Sequence, residues 1–206
     1  FYIQFLSAMK FKIIVSFLLL IILAAGVWSG IKIFGTEEKD PARLKAEFLK
    51  GGDFTVTKSH SEFHLSDLKG KAVFLYFGFT SCPDVCPTGL SVIRSAMAQL
   101  GDKMAQVQVL FITVDPERDD DTRLNEYLPF FDARIRGVNP SQQELKLIAN
   151  QYGVYYKKVG VAESSAGYSI DHTANFFLID KKGDLSFVLD HAVTSKQLAE
   201  TVAKLL

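Results

Sequence analysis

The sequence predicts an α/β domain, a mixed sheet flanked by helices, behind an N-terminal transmembrane anchor. Two continuous apolar runs, Ala72 to Phe79 and Val107 to Val114, read as central strands buried on both faces. Two further apolar stretches around Asp180-Lys181-Lys182-Gly183-Asp184 read as a hairpin near the C-terminus. Ahead of them, Ile13 to Ile31 is a run of 19 residues without a charge. At about 1.5 Å per residue it nearly spans a bilayer core of about 30 Å.

The chain has 206 residues and a formal net charge of zero, but the charge is unevenly spread. Residues 1–35 hold Lys10, Lys12 and Lys32 and no acid, leaving 20 basic against 23 acidic residues beyond them. Read from Met9, charge, apolar run and the small residues Ala24-Ala25-Gly26 have the layout of an export signal. The apolar run continues to Ile33-Phe34, which points to an uncleaved anchor. Lys32, Lys39, Arg43 and Lys45 follow the span, against a naive count of positive charge inside. That rule weakens when a whole domain follows, so the body is expected outside the cytoplasm. The body lacks the surplus positive charge of a nucleic-acid binder. The whole chain's 17 Phe and 7 Tyr exclude disorder, and only two cysteines exclude a disulfide-stapled miniature. The expected division is an anchor at 1–35, a charged juxtamembrane linker with some helix at 36–50, and one folded domain at 51–206.

Within that domain, Phe54 to Thr57 and Phe63 to Leu65 read as short strands around a polar turn. After the first central strand, Leu90, Ile93, Met97 and Leu100 recur at helical spacing, and Gly101 ends the helix. A helix through Leu124 and Leu128 follows the second strand. Ser141-Gln142-Gln143-Glu144 is a capping box, opening a helix with Leu145, Ile148 and Tyr152 on one face and Gly153 at its end. Val154 to Val159 reads as a strand. Ala174 to Ile179 and Leu185 to Leu189 form the hairpin, and Thr194 to Gln197 caps a last helix through Leu198, Val202 and Leu205. Parallel βαβ first and antiparallel ββα last is the thioredoxin-like arrangement. Sites in such sheets lie beyond the carboxyl ends of the strands.

Both cysteines sit at such an end, in Thr80-Ser81-Cys82-Pro83-Asp84-Val85-Cys86-Pro87. Four residues apart, they share a face if the intervening turn is helical, with Cα atoms about 6 Å apart, so they can clasp a metal or form a disulfide. The helix N-terminus favours thiolates. Pro87 cannot donate to the carbonyl of Pro83, so the first turn is expected to be irregular. Two thiolates suit Cu(I) better than zinc, which usually wants four ligands. His172 lies just before a core strand, in the loop that should face the cysteines, where thioredoxins carry a cis-proline. This chain's prolines are all elsewhere, at Pro41, Pro83, Pro87, Pro116, Pro129 and Pro140. His60, His64 and His191 lack such a context and read as surface residues. Asp115-Pro116-Glu117-Arg118-Asp119 ends the second strand. It reads either as a turn with helix-capping acids or as a charged rim that shapes partner docking or tunes the thiols. Asp84, between the cysteines, reads in the same two ways.

These stretches, Tyr76 to Pro87, Val114 to Asp119 and Asp171-His172-Thr173, resemble the SCO/SenC family of copper chaperones (synthesis of cytochrome c oxidase). The resemblance covers about Gly51 to Leu206 and the anchor. It departs at Asp180-Lys181-Lys182-Gly183, where many members have Asp-Pro-x-Gly. It implies a thioredoxin-like fold with an inserted hairpin, tethered to the inner (cytoplasmic) membrane by one span and facing the periplasm. It further implies copper, Cu(I) in preference to Cu(II), bound by Cys82, Cys86 and His172. The implied partners are the CuA centre of cytochrome c oxidase subunit II or another respiratory oxidase, and other periplasmic copper carriers. The alternative is a thiol-disulfide oxidoreductase, with Cys82 attacking and Cys86 resolving, that keeps the oxidase's copper-ligand cysteines reduced.

Overall fold

The computed structural model describes residues 41–57, 62–160 and 167–206. The anchor expected at 1–35 lies outside them. Among the described residues no helix is long and apolar enough to cross a membrane.

The centre of the fold is β3 (Ala72–Gly78), in which every residue is buried. Side chains alternate across a strand, and here the alternation sorts them into two cores. Val73, Leu75 and Phe77 enter one, and Phe74 and Tyr76 enter the other. An apolar run without polar alternation is therefore what a strand covered on both faces requires. β4 (Val107–Thr113) runs parallel to β3 and β5 (Ile135–Val138) parallel to β4. β8 (Phe176–Ile179) runs antiparallel to β3, and β9 (Leu185–Leu189) antiparallel to β8. The sheet order is β5-β4-β3-β8-β9.

The helices divide between the two faces. Leu145, Ile148 and Tyr152 of α4 (Gln142–Tyr152) fill one core. The other takes Leu90, Ile93 and Met97 of α2 (Val85–Leu100), Leu124 of α3 (Asp121–Tyr127), and Leu198 and Val202 of α5 (Ser195–Ala203). The capping boxes expected at Ser141 and Thr194 are both formed. The expected hairpin turn is held by Asp180, whose Oδ1 accepts from the N–H groups of Lys182, Gly183 and Asp184.

Three elements differ from expectation. Residues 41–47 form α1 (Pro41–Glu47), which packs against the edge strand β9 with Ala46 buried, so this part of the expected linker belongs to the folded body. Strand β5 was not anticipated, because Ile135-Arg136-Gly137-Val138 is too short and too polar to stand out. The strand expected at 154–159 is β6 (Tyr156–Gly160), and it pairs with an unanticipated β7 (Tyr168–His172) in a ribbon separate from the main sheet. A two-stranded ribbon β1 (Thr55–Val56) and β2 (Phe63–His64) completes the set.

Helix α2 crosses close over β3. A Cβ at Gly89 would overlap Tyr76 Oη, and that hydroxyl donates to the carbonyl of Val85 at 3.3 Å. Tyr76 is fully buried and stacked on Phe176, so its ring has little room to retreat. Gly89→Ala is expected to cost about 1–3 kcal/mol by overpacking, read as a lower denaturant midpoint. An unchanged midpoint would contradict this close approach.

Candidate metal centre

Strands β3 and β4 end level, with Gly78 opposite Thr113 and the N–H of Val114 donating to Gly78 O at 2.8 Å. The loops that follow them therefore leave the sheet side by side. Because β8 is antiparallel to β3, with Phe176 opposite Tyr76, the chain entering β8 arrives at the same end. Topology alone thus brings together the cysteine loop, the segment 115–119 and His172.

The sulfurs converge in a different way from that expected. Cys82 precedes α2 in a turn, its N–H donating to Phe79 O at 3.3 Å, whereas Cys86 lies in the first helical turn. Helix N–H groups in that turn have no intrahelical partner, and the one on Cys86 donates to Cys82 Sγ at 3.4 Å. Pro87 also falls in this turn, where a missing N–H costs nothing; the irregularity lies just before it, at the N-cap Asp84 (φ −143°, ψ −68°) and in the non-helical turn that carries Cys82. Gly78 leaves room for the second sulfur, since a Cβ there would meet Cys86 Sγ at 3.0 Å.

His172 is the last residue of β7 rather than a loop residue. Below it the ribbon is clamped: Thr173 N–H donates to Tyr155 O at 2.9 Å, and Tyr155 N–H donates to Thr173 Oγ1 at 3.0 Å. His172 Nδ1 lies 3.0 Å from Thr173 O, which assigns the ring proton to Nδ1 and leaves Nε2 as the acceptor. Nε2 lies 3.3 Å from Cys86 Sγ. A metal-binding histidine usually has its other nitrogen fixed in this way by a carbonyl or carboxylate. Phe79 meets the imidazole edge-on, with ring centroids 5.8 Å apart. The donor atoms of Cys82, Cys86 and His172 all lie within 4.8 Å of one another.

The two thiols are not equivalent. Cys82 is partly exposed, Cys86 is buried, and neither is in a disulfide. The Cys86 thiol beside Cys82 holds it down to about 4, against burial, with help from the N–H groups of Cys86 and Asp84. Cys86 is pushed up by the neighbouring Cys82 sulfur and by its own burial. The pair therefore gives up its first proton from Cys82 and retains the second on Cys86.

The other residues singled out in the sequence have distinct places. Asp84 is exposed at the N-terminus of α2 and makes no side-chain cap bond there. Asp115 and Asp119 are 0% exposed, which corrects the expectation of a docking rim for these two carboxylates. Asp119 accepts from Thr80 N–H at 2.9 Å, Thr80 Oγ1 at 2.6 Å and Thr113 Oγ1 at 2.7 Å. Asp115 accepts from Tyr168 Oη at 2.8 Å and pairs with Arg118 Nε. Glu117 is the exposed acid of the segment and pairs with Lys158 at 2.6 Å. His64 is partly buried, with Nδ1 2.8 Å from Thr55 Oγ1, and His191 is exposed beside Asp190. His60 lies outside the described residues. Sequence reasoning misses Thr80 and Tyr168, whose partners lie 39 and 53 residues away, and Thr113, whose bond to Asp119 depends on which way that carboxylate turns.

The SCO1/SenC family profile matches residues 42–206. The chain belongs to the SCO1/SenC family. It is 36% identical over 134 residues to a SCO2-like protein of Rickettsia felis, a match that covers 65% of each chain. This SCO1/SenC domain superposes on the copper-bound ScoI of Bradyrhizobium japonicum with a TM-score of 0.68. The identity there is 34%, over 76% of this chain and 99% of that one. Yeast Sco1 with copper bound gives 0.67 at 32% identity, over 75% of this chain and 86% of that one.

The unequal thiols are directly measurable. In the reduced, metal-free protein, alkylation of Cys82 is expected to keep its rate from about pH 8 down to about pH 6, where a thiol of ordinary pKa, about 8.5, slows roughly a hundredfold. Cys86→Ala removes the main donor and should restore the ordinary pH dependence. A wild-type profile like that of a free thiol would contradict the shared proton.

Proposed function

We propose that this SCO1/SenC protein is a membrane-tethered copper carrier that loads the CuA centre of cytochrome c oxidase subunit II, or a comparable centre of another respiratory oxidase. The observation that carries this reading is the convergence of two sulfurs and one imidazole nitrogen within 4.8 Å. Soft thiolates with an imidazole suit copper, Cu(I) above Cu(II). Cys82, as the thiolate, is the first donor to engage the ion. His172 Nε2 is already turned towards the sulfurs, and Cys86 loses its proton as the ion binds. Copper here is cargo. Partial exposure of Cys82 and His172 leaves one side open to an incoming donor, so the ion can leave by stepwise ligand exchange. The copper-bound relatives support the metal, and family membership supports oxidase assembly as the setting. Other periplasmic copper carriers are natural donors to such a site.

The charge-free run 13–31, with its basic flank, supports an anchor in the inner membrane and a body in the periplasm. A C-terminal reporter enzyme that is active only outside the cytoplasm should then be active, and an inactive reporter would reverse the orientation.

Anaerobic titration of the reduced protein is expected to give one Cu(I) per chain. Cys82→Ala, Cys86→Ala or His172→Ala should each weaken binding by more than about tenfold, the least that even an outer partner of a metal ligand usually contributes. Unchanged affinity in His172→Ala would remove the imidazole from the site.

The lowered Cys82 thiol favours a second reading on the same residues, reduction of a partner disulfide. In that reading Cys82 attacks one sulfur of the partner, the other partner sulfur leaves as thiolate, and Cys86 displaces the partner to leave a Cys82–Cys86 disulfide. A Cys86→Ser variant should then trap the mixed disulfide. Absence of any trapped partner, together with no reductase turnover, would sink this reading.

A further inference from the structure

The segment 115–119 holds the neighbours of both halves of the donor set, Thr80 before the cysteines and Tyr168 and Phe79 beside the histidine, and its two aspartates are spent inside the protein. We propose that it is a bracket that sets the cysteine–histidine geometry before any ion arrives. In it Arg118 and Tyr168 are positioning residues for His172, and Asp119 is the positioning residue for the cysteine loop. The copper titration in the test rests on the copper reading above, and the metal-free part does not.

The cysteine side is held by one buried carboxylate. Asp119 accepts three hydrogen bonds, two of them from Thr80, two residues before Cys82. Arg123 Nε also reaches Thr80 Oγ1, at 3.2 Å. Hydrogen bonds to a buried carboxyl group are costly to leave unmade.

The histidine side needs such a hold more. The β6–β7 ribbon that carries His172 has a single buried residue, Ile170. Tyr156 and Tyr168 pack partly buried against the same core, but an isolated two-stranded ribbon is marginal in water, and most of this one stays open to solvent. The polar ties supply what burial does not. Arg118 Nη1 donates to Tyr168 O at 3.0 Å, and its guanidinium lies 3.8 Å from the centre of the Tyr168 ring. Tyr168 Oη donates to Asp115, which is itself paired with Arg118. The same guanidinium lies 5.8 Å from the Phe79 ring, and Phe79 is the ring that meets His172 edge-on. Arg118 thus reaches the imidazole by two routes, along β7 from Tyr168 and through Phe79. The Glu117–Lys158 pair is exposed at both ends and contributes little.

A positioning role makes a claim that a general stabilising role does not: the effect of Arg118 on copper must pass through His172. Full-length wild type, Arg118→Met, His172→Ala and the double variant are compared by Cu(I) competition titration, with circular dichroism to confirm folding. Arg118→Met is expected to weaken copper by about tenfold, within the range for outer partners of metal ligands, and to have almost no further effect when His172 is already Ala. Additive losses, or no loss in the single variant, would overturn the proposal. Tyr168→Phe is the second variant, used if Arg118→Met does not fold. It keeps the ring under the guanidinium and loses only the bond to Asp115, and the same non-additivity is expected.

The metal-free arm uses nitrogen NMR of the His172 ring. Wild type should show the single tautomer protonated at Nδ1, and Arg118→Met or Tyr168→Phe should average the two tautomers. An unaltered ring spectrum in folded variants would also overturn the bracket. If His172→Ala leaves copper affinity unchanged, the copper-site reading fails, and the ring spectrum still decides the bracket.

Discussion

The 3.3 Å approach of Cys86 Sγ to His172 Nε2 joins side chains 86 residues apart, and much of the architecture serves to close that gap. Three features do the work. Parallel pairing of β3 with β4 brings two loops out at one edge of the sheet. Antiparallel pairing of β8 with β3 returns the chain to that same edge. A short ribbon then lifts His172 over the cysteines. None of these involves the donor atoms. The site is a consequence of backbone pairing, and the pairing is secured by two apolar cores that share the alternating faces of β3.

Ligand-bearing edges of this kind face a physical conflict. They must hold polar, titratable atoms close together while remaining open to a partner. Here the conflict is divided by depth. Cys86, Asp115 and Asp119 are buried and fully engaged, while Cys82 and His172 are partly exposed. On the proposed function, the buried members hold geometry and the exposed ones meet the partner. A charged segment at the end of a strand therefore need not be a docking surface. Two of the three acids between 115 and 119 point inwards, and only Glu117 faces solvent.

What could be read from sequence followed the range of the interactions. The central strands, the C-terminal hairpin and both capping boxes rest on neighbours within a few residues, and they form much as the pattern implies. The cysteine pair was equally legible, since its spacing and its place after a buried strand are local facts. Strands β5 and β7 were not. Four residues with an exposed arginine carry no strand signal, and Tyr168 to His172 is a strand only because it pairs with β6. The charged segment showed its position but not its direction. Whether Asp119 faces solvent or Thr80 depends on a contact 39 residues away. The start of α2 shows the same limit, because Pro87 is disruptive or harmless according to a shift of two residues in where the helix begins.

The two functional readings converge on one proton. A pair that holds Cys82 as thiolate and Cys86 as thiol has one sulfur ready to attack and one ready to be displaced from its proton. For an incoming soft cation, that proton is the only covalent change required before both sulfurs bind. For a partner disulfide, the same thiolate is the nucleophile and the same buried thiol resolves the product. Once the two sulfurs are bonded to each other, neither can serve as a thiolate ligand. Occupancy by metal and oxidation to a disulfide therefore exclude one another at this site. The imidazole separates them, because ligand exchange uses His172 Nε2 directly, whereas thiol–disulfide exchange needs only the two sulfurs. The ribbon that carries His172, absent from the plain strand-helix core, is thus the part of the fold that a redox protein alone would not need.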